Sequence, residues 1–258
     1  MIRPKNFKKS KRDKDIFIYG KHPVIAALKN KNRKIKKIFI AQESRIMEKE
    51  ILSIIKDYQL NVALEVTTRK YLDNMLGKNT KHQGIMIQTI KLQAISYKKI
   101  FSDKNLKFGV LLDKITDPNN VGAIYRSAFN FDLDFVINLD KGTSKENPSL
   151  LNSACGNFEK INTFQASNLI NCVKEFKKND WWVIGTDIKA KLNIHEFFSF
   201  HSDIKKILII LGSEGYGIRN LTKEHCDFMV KIQMKEEKNS LNVSNAAAVF
   251  FYEIQKNL

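Results

Sequence analysis

The sequence predicts an α/β protein in two units, a small α/β unit followed by a larger one built on a parallel sheet. From residue 107 onward, apolar runs recur: "KFGVLLDKI", "DFVINL", "WWVIGTD", "KKILIILG" and "FMVKIQM". Helical stretches such as "SNLINCVKEFKKN" (167–179) separate most of them. Continuous apolar strands with helical crossovers require a parallel sheet covered on both faces. Ligands on such sheets sit at the carboxyl ends of the strands. Before residue 107 the elements are shorter and their rhythm differs. The 258 residues suffice for one large domain or two modest ones.

Taken in order, residues 1–15 form a basic tail in which disorder is expected. Residues 16–90 form the small α/β unit. There "GKHPVIAALKN" reads as a helix with Pro23 in its first turn, where proline is tolerated. "IKKIFIA" (35–41) alternates like a strand. "SRIMEKEILSIIKDY" (44–58) reads as a helix with Ile46, Ile51 and Ile54 or Ile55 on one stripe. "NVALEVT" and "QGIMIQT" are strand candidates with helical "RKYLDNML" between them. Residues 91–106 lack a strong period and read as a linker or hinge. Residues 107–258 form the larger unit.

Charge gives the first functional hint. Lys plus Arg number 44 against 27 Asp plus Glu, a formal charge of +17. Seven of the twelve residues from 3 to 14 are basic. A polyanion partner is the natural reading, because each cation placed near a phosphate releases a counterion. No apolar run approaches the roughly 20 residues that span a membrane. The basic N-terminus has no apolar core behind it, so no secretory signal is read there. Cys155, Cys172 and Cys226 are far apart and form no CxxC pair, which fits a reducing compartment and no zinc ribbon. The five histidines, His22, His82, His195, His201 and His225, show no ligand spacing, so no metal site is expected. His82 and His225 read as packing or capping residues.

Three loops of the larger unit can carry chemistry. In "DPNNVGAIYRSAF" (117–129), Asp117 and Pro118 make a turn, and Asn119 or Asn120 is placed to cap the following helix. Arg126 projects from that helix among apolar neighbours. In "IILGSEGYGIRN" (209–220), an apolar run ends in three glycines and an acid. The spacing is neither the dinucleotide GxGxxG nor a Walker loop. Glu214 at a helix start would favour the dipole, and three clustered glycines suggest backbone passing close to something. In "KNSLNVSNAAAVFFYEI" (238–254), Ser240, Asn242, Ser244 and Asn245 crowd the entry to an apolar helix. One of them must be its cap. Four uncharged polar groups exceed what one cap requires, which leaves a hydrogen-bonding site open.

In this order, the three loops resemble the three signature motifs of the SpoU (TrmH-type) branch of the SPOUT RNA methyltransferases. "DPNNVGAIYRSA" is similar to motif one, "LGSEGYGIRNLTKEHCD" to motif two and "SLNVSNAAAV" to motif three. The resemblance covers residues 107–258. "IYGKHPVIAAL" and "KHQGI" resemble the start and end of the ribosomal-protein-L30e-like RNA-binding domain of one subgroup. That layout is similar to the enzymes that methylate the ribose 2′-hydroxyl of a guanosine in 23S rRNA.

The resemblance implies a catalytic SPOUT domain with a deep C-terminal trefoil knot, a feature that general topology rules would discount. It implies a homodimer, S-adenosyl-L-methionine as cofactor and methyl transfer to a ribose 2′-hydroxyl in the cytoplasm. It places Asn120, Arg126, Glu214, Ser240 and Asn242 at the catalytic site. Gly212, Ile232 and Leu241 then contact the cofactor, with Thr186, Leu211 and Met234 as neighbours. Arg126 suits orienting a phosphate better than acting as a base, since a guanidinium titrates above about 12. Glu214 is expected to fix Arg126 or Asn120. The family commonly has proline before Met234 and glycine two residues after it; here Gln233 and Glu236 stand there. A tRNA 2′-O-methyltransferase of the same fold and a non-catalytic RNA-binding or ribosome-assembly protein remain as alternatives.

Overall fold

The structure, a computed structural model, describes residues 15–236 and 240–258. Almost all of the basic tail and the end of the charged segment "KEEKN" lie outside the described residues.

The first unit runs β1 (Asp15–Tyr19), α1 (Lys21–Lys29), β2 (Ile35–Ala41), α2 (Arg45–Asp57), β3 (Ala63–Thr67), α3 (Arg69–Leu76) and β4 (Ile85–Ile90). Its sheet has the order β1-β4-β2-β3, with β4 antiparallel to β1 and β2, and β2 parallel to β3. β1 is an element the sequence reading lacks. In α2, Ile51 and Ile54 are buried as expected, but Ile46 is 85% exposed. At 100° per residue Ile46 sits about 140° from Ile51, off the buried stripe.

The segment at 91–106 contains a short 3₁₀ helix, Tyr97–Ser102, with Tyr97 and Ile100 buried. Both join the core cluster around Phe135 and Phe176. The amide of Gln165 also donates to the Ile95 carbonyl at 2.7 Å. The segment is packed onto the larger unit along its length, not held away from it.

The larger unit runs β5 (Phe108–Asp113), α4 (Pro118–Asn130), β6 (Phe135–Leu139), α5 (Pro148–Ser153), β7 (Asn162–Ala166), α6 (Leu169–Lys178) and β8 (Trp182–Thr186). It continues with β9 (Leu192–Asn193), α7 (Ile194–Phe200), β10 (Ile207–Gly212), α8 (Asn220–Lys223), β11 (Phe228–Lys231) and α9 (Val243–Asn257). The sheet order is β7-β6-β5-β10-β8-β11-β9, and every neighbouring pair is parallel. Strands β5, β6 and β10 are buried at every residue, the pattern of a sheet covered on both faces. β7 and β9 are the edges; both have polar residues and escape an apolar-run search.

Short polar side chains cap several of the helices. Asp117 accepts from the Asn119 amide and caps α4, with Pro118 at its first position. The expectation of a cap at Asn119 or Asn120 is therefore corrected: both lie inside the helix. Asn147, Asn168 and Asn242 cap α5, α6 and α9 in the same way.

The two units share one core, in which Ile16, Ile18 and Val24 join Val121, Leu150 and Phe158. A buried ion cluster also ties them together. Arg33 of the first unit pairs with Glu146 and Glu159 of the second, its side chain fully buried and theirs nearly so. Burial works against the Arg33 cation, but the two carboxylates outweigh it and raise its pKa.

Candidate active site

The carboxyl ends of β8 and β10 splay apart. The β10–β5 ladder runs on to Gly212 and Asp113, whereas the β10–β8 ladder stops at Ile210 and Gly185. The gap opens into a cavity of about 290 Å³. Thr186, Leu211, Gly212, Ile232, Met234 and Leu241, the six expected cofactor neighbours, all line it, as do Glu214 and Ser240. Phe250 and Ala246 of α9 complete an apolar wall. The Thr186 hydroxyl donates to the Ile210 carbonyl at 3.0 Å, so it satisfies a backbone group at the point of divergence.

Beside this cavity the three loops meet in one hydrogen-bonded cluster. Asn120 Nδ2 donates to Glu214 Oε1 at 2.7 Å. Asn242 Nδ2 donates to the same oxygen at 2.5 Å and to Asn120 Oδ1 at 3.0 Å. Asn242 Oδ1 is occupied in capping α9, accepting from the Ser244 amide at 2.9 Å and hydroxyl at 2.6 Å. One asparagine thus serves as cap and as cross-link. The neighbouring Asn119 faces elsewhere, accepting from the hydroxyls of Ser149 (2.8 Å) and Ser153 (3.1 Å).

Glu214 does not open a helix, so the expected dipole role falls away: α8 begins six residues later. Nor does Glu214 contact Arg126. Arg126 is exposed on α4 and has no ion pair or hydrogen bond among the described residues. Six residues of helix turn it about 120° away from Asn120.

The three glycines of the turn have separate reasons. A Cβ on Gly212 would lie 2.1 Å from the Gly217 carbonyl carbon and 2.3 Å from the Ile218 nitrogen, so only glycine lets the turn fold back on the strand. Gly217 has φ +61°, the left-handed region, with open space around it. Gly215 has neither feature, which corrects the idea that all three mark close approach.

Two charged pairs frame the site and were not singled out in the sequence. Asp113, buried at the end of β5, pairs with Arg219 at 2.9 Å across from the turn. A charge ending an all-apolar strand demands a partner, and that was the available signal. At the cavity rim, burial disfavours the Asp187 carboxylate, but the bound Lys223 ammonium prevails and lowers its pKa. Both Asp187 oxygens are engaged, one by Lys223 and one by the Lys189 amide. Glu214 Oε2 has no partner among the described residues.

The histidines behave as packing and capping groups. His82 Nδ1 accepts from the Gly84 amide at 3.0 Å, and its Nε2 meets Asp73 at 3.2 Å. His225 Nδ1 lies 3.0 Å from the Leu221 carbonyl. Among the described residues no group of three His, Cys, Asp or Glu is placed to hold a metal ion. No described helix is long and apolar enough to cross a membrane. A larger cleft, about 940 Å³, lies between the units and shares no lining residue with the first; Lys34, Lys91, Lys99, Lys145 and Lys160 line it.

A parallel sheet with a cavity where two strands diverge, rimmed by three polar loops, defines a small-molecule and substrate site of the α/β type. Residues 107–252 match the model of the SpoU rRNA Methylase family, and residues 17–94 match the model for RNA 2′-O ribose methyltransferase substrate binding. The chain belongs to the SpoU rRNA methylase family. A 23S rRNA (guanosine-2′-O-)-methyltransferase RlmB of Coxiella burnetii is 32% identical over 93% of this chain and 94% of its own. An uncharacterized tRNA/rRNA methyltransferase of Borreliella burgdorferi is 31% identical over 85% of this chain and 98% of its own. Among solved structures, the SpoU methyltransferase AviRb from Streptomyces viridochromogenes, in complex with AdoMet, has a TM-score of 0.77 at 20% identity. It covers 94% of this chain and 89% of its own, a likeness of fold.

Proposed function

We propose that this chain transfers a methyl group from S-adenosyl-L-methionine to the ribose 2′-hydroxyl of a guanosine in 23S rRNA. The observation that carries the reading is the Asn120–Glu214–Asn242 cluster, which joins all three loops beside the cavity. The name of the Coxiella burnetii relative supports the nucleotide and the RNA.

The cavity suits the cofactor. Leu211, Ile232, Leu241 and Phe250 offer apolar surface to an adenine and a methionine chain. The strand edge released at Leu211 and Gly212 offers backbone groups without side-chain interference. When bound, the cofactor supplies an electrophilic sulfonium methyl. The chain must bring the hydroxyl in line with it, which contributes several kcal/mol, and must assist loss of the hydroxyl proton. Asn120 and Asn242 share Glu214 Oε1 and hold the carboxylate in one orientation. Its Oε2, which has no partner among the described residues, is then the carboxylate oxygen left for the incoming hydroxyl. Ser240 contributes a further hydroxyl at the rim. Arg126, exposed and unpaired among the described residues, suits a phosphate of the target strand through its planar fork.

The division of labour follows the same reading. Residues 16–90 grip RNA, residues 91–106 join the units, and residues 107–258 form the catalytic domain with its C-terminal knot. The lysine-lined cleft between the units suits an RNA backbone. Phe129, Val249 and Tyr252, partly exposed on the mutually packed α4 and α9, suit a homodimer contact. Free thiols at Cys155, Cys172 and Cys226 suit the cytoplasm.

The test offers methyl-labelled S-adenosylmethionine with unmodified 23S rRNA and, separately, unmodified tRNA, and maps any labelled ribose. Label in a large-subunit guanosine supports the reading. Label in tRNA alone keeps the chemistry and overturns the substrate. Cofactor binding without label redirects the test to an assembling ribosomal particle, and no cofactor binding revives the non-catalytic RNA-binding alternative.

A further inference from the structure

The turn between β10 and α8 carries one large exposed side chain to which the methyl-transfer reading has given no role. Tyr216 is 93% exposed, the most exposed large hydrophobic residue among those described. An aromatic ring left in water forgoes the burial that ordinarily stabilises it. Its exposure does not come from a loose loop, because the turn is fastened on every side. The Gly217 amide donates to the Ser213 carbonyl at 2.8 Å. Glu214 is held by two asparagines, and Arg219 is paired with buried Asp113. The glycines on either side face open space: apart from chain neighbours, a Cβ on Gly215 or on Gly217 would meet nothing within 4 Å. Tyr216 nevertheless lines the same cavity as Glu214.

We propose that Tyr216 is the stacking platform for a nucleobase of the RNA strand that carries the target ribose. This rests on the methyl-transfer reading and deepens it by naming the substrate class, an unpaired nucleotide in a loop or bulge. A ring held out on an anchored turn presents a flat face with only two χ angles to order. Bases in a duplex are already stacked on their neighbours, whereas unpaired bases can be splayed onto an aromatic side chain. The ribose of the stacked nucleotide, or of its neighbour, then lies beside the carboxylate two residues away.

The experiment compares the full-length wild type with Tyr216→Ala and Tyr216→Phe on an RNA that accepts label in the mapping assay. Stacking predicts that Tyr216→Ala lowers kcat/KM for RNA between about 5- and 150-fold, the range of a lost base–aromatic stack. Tyr216→Phe keeps the face and stays within roughly twofold of wild type on that scale. S-adenosylmethionine affinity by calorimetry and mass by light scattering stay at wild-type values. Tyr216→Ala indistinguishable from wild type overturns the proposal, and so does Tyr216→Phe as impaired as Tyr216→Ala, which would assign the role to the hydroxyl. Weakened cofactor binding or a changed mass overturns it too, by assigning the ring to the cofactor or to a second copy. A wild type that labels neither free RNA nor an assembling ribosomal particle fails the methyl-transfer reading itself and takes this proposal with it. A wild type that labels RNA with an unaffected Tyr216→Ala fails the proposal alone.

Discussion

Arg33→Leu is the perturbation with the most direct structural arithmetic. Arg33 Nη1 donates to Glu146 Oε1 at 2.5 Å and to the Ile90 carbonyl at 3.1 Å. Nε donates to Glu159 Oε2 at 3.2 Å, and Nη2 to Glu159 Oε1. Asn30 Nδ2 also donates to Glu159 Oε2 at 2.7 Å, and the Leu92 amide donates to the remaining oxygen, Glu146 Oε2, at 2.9 Å. One cation therefore faces two carboxylates with side-chain exposures of 8% and 2%. Burial already lifts the Glu146 pKa above the usual range, although Arg33 pulls against it. Removing the guanidinium leaves both charges buried and unpaired, which costs about 3–5 kcal/mol. For a chain of this size that is a fall in Tm of about 6–20 °C.

The sign of the pH dependence follows. Without Arg33, the folded-state pKa of Glu146, already raised by burial, rises further above its unfolded value of about 4.3. Its contribution to stability is then fully present below that value and lost as pH rises through the folded pKa. The deficit against wild type is therefore smallest in acid and grows toward neutrality. Urea unfolding near pH 4.5 and 7.5, followed by tryptophan fluorescence and far-ultraviolet dichroism, measures it. A deficit under about 1 kcal/mol at the higher pH, or one independent of pH, refutes the reasoning. Replacing all three residues with apolar ones of similar volume is expected to recover most of the loss, because no unpaired charge remains.

Three further outcomes are expected. Gly212→Ala drives a methyl into the Gly217–Ile218 backbone and should displace the turn, abolishing measurable cofactor binding in calorimetry and destabilising the fold by about 1–3 kcal/mol. Arg126→Ala should remove turnover on RNA while leaving cofactor affinity within roughly twofold, since Arg126 does not line the cavity; loss of cofactor binding would sink its assigned role. Asp187, whose pKa Lys223 lowers, stabilises the fold above its unfolded value of about 3.9 and loses that contribution as pH falls through the folded pKa. Asp187→Asn should accordingly flatten the acid limb of a stability-versus-pH curve.

Much of the architecture was legible because burial leaves a one-dimensional trace. β5, β6 and β10 are covered on both faces, so each reads as an unbroken apolar run. β1 and β7 escaped because they mix polar and apolar residues, as edge strands do, and a short mixed run carries no clear period. The helix caps were only half legible. Asp117, Asn119 and Asn120 all suit a cap chemically, and the choice among them depends on where Ser149, Ser153 and Glu214 stand in space.

The chain by itself determined which residue types stand in which loops, the order of the strands along the chain and the family to which it belongs. These follow from local polarity, turn chemistry and motif spacing, all properties of neighbouring residues. Only the tertiary structure decided that Glu214 binds Asn120, 94 residues away, and that Asn242 reaches Asn120 across 122. It alone decided that Arg126 stands apart from this cluster, and that Arg33 lies sealed between two carboxylates of the other unit. The physical reason is the parallel sheet. Every crossover returns the chain to the same edge, so loops far apart in sequence converge at the carboxyl ends of adjacent strands.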